Sequence, residues 1–223
     1  LWRYLMKSEL KKRIMTSFLL IPILVTMFIS KISLIFFLIL MSIYSIIEFF
    51  NINEIIYSRN RLKKLIFNLI FIIYIFFFTL IFFIGVTILN LKILVLTIIL
   101  ICISSDIGGY VVGKIFKGPK LSKISPNKTI YGSLGSIIFS IIVSTIIFYF
   151  LMGKISFLSI GSGIIISLSV QSGDLFLSFL KRKAELKNTG SLLPGHGGIL
   201  DRIDGILLGY PVGLIFTFLI HMI

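Results

Sequence analysis

RLKKLIFNLIFIIYIFFFTLIFFIG, residues 61–85, decides the fold: Arg61, Lys63 and Lys64 stand directly before a run, 66–85, that holds no charged side chain. Crossing a hydrocarbon core about 30 Å thick takes roughly 20 mostly apolar residues in a helix, so this stretch predicts a transmembrane helix with a basic anchor at one end. The same reading extends in both directions. Further spans are expected near 14–30, 32–50, 90–107, 133–151, 155–178 and 205–222. The predicted fold is therefore an all-α, polytopic integral membrane protein of about seven transmembrane helices, within a range of six to nine.

Composition agrees with that class and excludes a soluble globular domain, since 57% of the 223 residues are hydrophobic, 13% are charged and the mean hydropathy is +1.11. The run at 14–30 follows Lys11, Lys12 and Arg13 like the core of a signal peptide, but it lacks a small-residue cleavage site and is followed at once by a second span, so it is expected to be retained. The lone Cys102 lies in an apolar run, which excludes an intrachain disulfide and fits a buried, unreactive thiol.

A net charge of +14 could suggest nucleic acid, but its distribution points to topology instead. Arg3, Lys7, Lys11, Lys12 and Arg13 precede the first span. Arg59, Arg61, Lys63 and Lys64, then Lys114, Lys117, Lys120, Lys123 and Lys128, then Lys181, Arg182, Lys183, Lys187 and Arg202 fill alternate connections, whereas the remaining connections hold only Lys31, Lys92 and Lys154. Basic loops stay cytoplasmic. The alternation predicts a cytoplasmic N-terminus, an odd number of crossings and a single membrane domain over 1–223, with N-terminal spans in 1–100 and catalytic spans and cytoplasmic loops in 101–223.

The eight acidic residues are few enough to weigh one by one, and all four aspartates (Asp106, Asp174, Asp201 and Asp204) fall at span ends or in basic cytoplasmic connections. Charge at the edge of hydrocarbon marks function. In Pro-Gly-His-Gly-Gly-Ile-Leu-Asp-Arg-Ile-Asp, residues 194–204, Asp201 and Asp204 are three apart, so on a helix they share a face and could grip a divalent cation together. Carboxylates that hold a metal beside Lys and Arg that neutralise phosphate oxygens suit a magnesium-assisted reaction on an anionic, cytoplasmic substrate. Gly195, Gly197 and Gly198 let backbone amides approach an anion at a helix start, although a plain entry turn gives the same pattern. His196 fits a hydrogen bond to phosphate at least as well as a general base. Lys123 to Thr129, with Ser125 and Lys128, suits either a phosphate cradle or an ordinary positive-inside loop, and Gly109 with Gly113 fits a close helix contact.

Ser178-Phe-Leu-Lys181-Arg182, then Lys187, then Pro194 to Asp204, resembles the signature of the phosphatidate cytidylyltransferases, or CDP-diacylglycerol synthases. Ser105-Asp106-x-Gly-Gly-Tyr110-x-x-Gly113, Ser125-Pro126-x-Lys128-Thr129-x-x-Gly132 and Gly173-Asp174-Leu175 resemble further family segments. The resemblance covers roughly residues 100 to 210. It implies transfer of CMP from CTP to phosphatidic acid, giving CDP-diacylglycerol and pyrophosphate for phospholipid synthesis at the cytoplasmic face of a bacterial inner membrane. It also implies Asp174, Asp201 and Asp204 as magnesium ligands, with a second cation left open. Catalytic roles would fall to those aspartates, Lys181, Arg182, Arg202 and His196, and substrate-binding roles to Asp106, Ser125, Lys128, Thr129, Lys187, Gly197 and Gly198. The implied partners are CTP, phosphatidic acid and the lipid bilayer, with no nucleic acid, and a homodimer is among the assemblies allowed.

The chain departs from the family pattern at Asn188, where an aspartate is usual, and at Tyr131, where a glutamate is usual. Two other functions stay open on the residues alone. A CTP-dependent lipid or polyprenol kinase would release CDP rather than pyrophosphate, and an ion-coupled transporter would place its acids deep in the spans.

Overall fold

The computed structural model describes residues 22, 25–122, 124–126, 128–192 and 197–221. Among the described residues six complete helices follow in order: α1 (Lys31–Ile56), α2 (Arg61–Thr87), α3 (Leu89–Phe116), α4 (Ile130–Met152), α5 (Phe157–Lys183) and α6 (Leu200–His221). Each is long and apolar enough to cross a membrane. Among the described residues no strand forms, although Lys120 and Thr129 make an isolated antiparallel bridge. The protein is an all-α, multi-pass membrane protein. Most of the expected first span, 14–30, lies outside the described residues, although 25–29 are helical and lead to Ser30, whose hydroxyl accepts from the Ser33 amide at the start of α1.

The helices overrun the apolar runs from which they were read. α3 continues past 107 to Phe116, α5 past 178 to Lys183, and α6 begins at Leu200 rather than 205. Asp106, Lys114, Lys181, Arg182, Asp201, Arg202 and Asp204 are therefore helical residues and not loop residues. A helix ends at a stop signal in the backbone, not at its first charge. α3 stops where Lys117 and Gly118 take positive φ, 52° and 74°. At the end of α5, Glu185 takes φ 57° and the Leu186 amide reaches back to the Lys181 carbonyl at 2.8 Å, the six-to-one closure of a Schellman motif.

The described residues form two compact units that do not follow chain order. Hydropathy locates spans but carries no information on which spans pack together. One unit joins α1 and α2 with residues 180–203. Its α1–α2 hairpin is locked by Phe49 stacked on Phe71 (centroids 3.8 Å apart, 7° between planes), Tyr57 stacked on Phe67 at 5.1 Å, and a 2.8 Å hydrogen bond from Asn53 Nδ2 to Asn68 Oδ1.

The other unit contains residues 88–179 and 204–223. Lipid tails are as apolar as leucine, so packing here depends on small residues and hydroxyls rather than on exclusion of water. α3 crosses α4 with Gly108, Gly109 and Gly113 against Gly132, Gly135 and Ser136; a Cβ at Gly108 would lie 2.6 Å from the Gly135 carbonyl oxygen. The expected helix contact at Gly109 and Gly113 is thus present. Ser105 and Ser167 share a hydrogen bond at 2.9 Å, and Cys102 is buried beside Gly209.

Candidate active site

In the second unit, the connection from α3 to α4 folds back as a tight hairpin. Pro126 supplies the fixed φ of a turn closed by the Lys128 amide to the Ser125 carbonyl at 3.1 Å, and the Leu121 amide then donates to the Lys128 carbonyl at 2.8 Å. Thr129 follows as the N-cap of α4, its hydroxyl accepting from the Gly132 amide at 3.0 Å. This geometry turns Lys128 inward. Its ammonium donates to Asp174 Oδ2 on α5 at 2.5 Å, with only 18% of the Asp174 side chain exposed.

That pair lines a cavity of about 510 Å³ whose wall also includes Asp106, Lys114, Thr129 and Gln171. The volume suits a small-molecule ligand. Opposite Lys128, Asp174 lies over the start of α6: a Cβ at Gly205 would be 3.2 Å from Asp174 Oδ1, and Gly173 leaves no room for a side chain against the Asp204 carbonyl. Asp174 and Asp204 consequently stand on closely apposed turns of α5 and α6.

In the first unit, the segment after α5 carries the densest polar contacts. Lys181 donates to Asp201 Oδ1 at 2.6 Å, with the two side chains 14% and 7% exposed. Asp201 Oδ2 accepts from the Thr189 amide at 2.8 Å, the Gly198 amide at 3.2 Å and the Thr189 hydroxyl at 3.1 Å. Behind them sits Glu48 of α1, buried to 5% exposure, which the sequence reading counted among the acids without giving it a role. The Ile199 and Leu200 amides each donate to it at 2.9 Å and the Thr189 hydroxyl at 2.6 Å.

The expected site residues therefore fall into separate groups. Asp106, Lys128, Thr129 and Asp174 share the cavity; Lys181, Asp201, Gly197 and Gly198 share the second cluster, with Asp201 Oδ2 near Gly197. Asp204 accepts from the Gly205 amide at 3.0 Å. Ser125 serves the hairpin turn through its carbonyl. Arg182, Lys187 and Arg202 are exposed, and His196 lies outside the described residues. The amides expected to cradle an anion are engaged within the protein: Gly198 donates to Asp201, and those opening α6 donate to Glu48.

Of the two departures, Tyr131 packs its ring over Gly118, and Asn188 flanks Gly197, which takes φ 84°. Among the described residues no group of three or more His, Cys, Asp or Glu gathers as a metal cage. Magnesium does not require one, since it keeps several waters and is held by one or two carboxylates plus substrate phosphates. Asp174, Asp201 and Asp204 all offer hard oxygen donors of the kind that ion takes; Asp174 Oδ2 also accepts from Lys128, Asp204 from the Gly205 amide, and Asp201 from Lys181, Thr189 and Gly198.

Over 114 residues the chain is 42% identical to the phosphatidate cytidylyltransferase of Mycobacterium bovis, a match covering 51% of this chain and 37% of that protein. It is 35% identical over 118 residues to the phosphatidate cytidylyltransferase of Helicobacter pylori, covering 52% and 43%, and 42% identical over 119 residues to that of Rickettsia typhi, covering 49% and 51%. The matches thus span about a third to a half of those relatives. The sequence profile of the cytidylyltransferase family matches residues 53–220, a range that takes in the cavity, the Lys128–Asp174 pair and the Lys181–Asp201 pair, and the chain belongs to that family.

Proposed function

We propose that this protein transfers CMP from CTP to phosphatidic acid, releasing pyrophosphate and leaving CDP-diacylglycerol in the membrane, with its reacting groups at the cytoplasmic face. The observation that carries the reading is the cavity in which Lys128, held by Asp174 at 2.5 Å, faces a space of about 510 Å³ inside the region matched to the cytidylyltransferases. A phosphate oxygen of the lipid attacks the α-phosphorus of CTP, the new P–O bond forms as the bond to the β-phosphate oxygen breaks, and pyrophosphate departs. The nucleophile is already anionic, so no side chain has to remove a proton. What the reaction needs is charge neutralisation and alignment. Lys128 supplies a fixed cation, and the Asp174 carboxylate fixes its direction. Lys114, on the same wall, offers a second cation to a phosphate chain. Asp174 and Asp204 would hold magnesium, which when bound would neutralise phosphate oxygens.

CTP labelled with ³²P at the α or the γ position, incubated with phosphatidic acid and the purified protein in detergent, tests this directly. Lipid-soluble label from α-labelled CTP alone, with equimolar pyrophosphate, is the expected result. Label from the γ position identifies a kinase, and no transfer from either refutes the reading.

A further inference from the structure

An ionisable residue within a membrane helix is costly unless it is paired or functional, and Glu48 is a glutamate within the apolar α1. Its surroundings are built to receive a carboxylate. An ionised carboxyl only accepts hydrogen bonds, and the three contacts described above all donate to it from residues 189–200. Two of those donors are amides where α6 begins, groups with no acceptor inside their own helix, at the end where the helix dipole favours negative charge. Two glycines keep the space clear: a Cβ at Gly190 would lie 2.7 Å from Glu48 Oε1, and one at Gly198 would lie 2.5 Å from Glu48 Cδ. The Thr189 hydroxyl has one proton and stands 2.6 Å from Glu48 and 3.1 Å from Asp201, so it links the two carboxylates.

We infer that Glu48 is a positioning residue for the transfer reaction, its carboxylate holding Thr189, Ile199 and Leu200 so that Asp201 and the Lys181 it holds are presented in one fixed arrangement. The link to catalysis rests on the cytidylyl-transfer reading above; the hold on those three residues does not. Glu48→Gln keeps the volume but turns an NH₂ donor towards groups that are themselves donors, so at least one of the three bonds is lost. Only an ordered arrangement can stabilise a transition state, so the loss appears in turnover more than in substrate binding.

The test pairs amide hydrogen exchange with kinetics on the full chain in detergent. For Glu48→Gln, exchange of the Thr189, Gly198, Ile199 and Leu200 amides is expected to rise about tenfold or more while α2 is unchanged. The kcat for lipid labelling from α-labelled CTP is expected to fall about tenfold to a hundredfold, with KM for CTP within about threefold. Glu54→Gln, on the same helix but exposed and paired with Lys64, serves as the control and leaves both readouts at the wild-type level. Should Glu48→Gln not fold, Thr189→Val removes one of the three donors and is expected to give the same changes at smaller amplitude. Unchanged exchange at those four amides overturns the positioning role, and loosened exchange with unchanged kcat overturns its link to the reaction. Loosened exchange in a protein whose wild type transfers no CMP refutes the functional reading and with it the catalytic link, and leaves standing only the hold of Glu48 on Thr189, Ile199 and Leu200.

Discussion

Asp201→Asn removes one charge from the pair with Lys181, and the geometry sets both the size and the kind of loss. Asp201 Oδ2 serves three donors, so the asparagine oxygen must take that place, which turns its NH₂ towards the Lys181 ammonium, itself a donor 2.6 Å from the original Oδ1. With the Lys181 side chain 14% exposed, the cation is left largely out of water without a partner. Removing one member of a buried pair costs about 3–5 kcal/mol. Taking ~3 kcal/mol at the transition state gives roughly a hundredfold loss in kcat/KM. Lys181→Met removes the cation instead and leaves Asp201 with its three donors, so ~2 kcal/mol is the expected cost. Because the second change repairs the conflict left by the first, the double variant should cost about 3 kcal/mol and not the sum, a coupling near 2 kcal/mol in a double-mutant cycle. The assay is lipid labelling from α-labelled CTP, with thermal midpoints in detergent measured beside it. Additivity of the two changes to within about 0.5 kcal/mol would refute the paired arrangement.

Lys128→Met is expected to lower kcat/KM at least about a hundredfold, since it removes the cation held in the cavity, with Lys128→Arg intermediate in the labelling assay. Gly135→Leu drives a side chain into Val112 and the Gly108 carbonyl, and should destabilise by several kcal/mol, read as a lowered thermal midpoint with both units' chemistry intact in sequence. Asn188→Asp places a carboxylate next to Gly197 and the Asp201 oxygen beyond it; turnover at saturating magnesium is expected to stay level or rise. A strong drop in turnover would withdraw the phosphate-binding role given to Lys187. Alkaline phosphatase fused after Lys154 or Ile223 should be active and a fusion after Lys187 inactive, as the alternation of basic connections requires.

The spans were legible because hydropathy reports directly on lipid exposure: 66–85 fixed α2 without reference to any partner. Helix ends were less so, since the stop signals at Lys117 and Glu185 are positive-φ residues that are neither glycine nor asparagine. The aspartates stood out by their rarity, yet their partners did not, because Lys128 lies 46 residues from Asp174 and Lys181 lies 20 from Asp201. Pairing across such distances is a property of packing. Thr129 carries a role that spacing did not show: its hydroxyl accepts from the Gly132 amide as the cap of α4 while the residue lines the cavity. Glu48 was missed although a signal existed: a carboxylate inside an apolar run is expensive, and the same rule that drew attention to the aspartates applied to it.

The donors that receive Glu48 lie 141 to 152 residues further along the chain. During synthesis from the N-terminus, α1 reaches the bilayer long before Thr189, Ile199 and Leu200 exist, and for that interval its carboxylate has none of these three donors. Arrival of α6 relieves that cost, so insertion of α6 and the seating of Thr189, Ile199 and Leu200 on Glu48 become a single late event. A ribosome-arrested chain ending before residue 189 would then be a set of spans with an unmet carboxylate, and quality control that senses charge in lipid would have a chemical mark by which to recognise it.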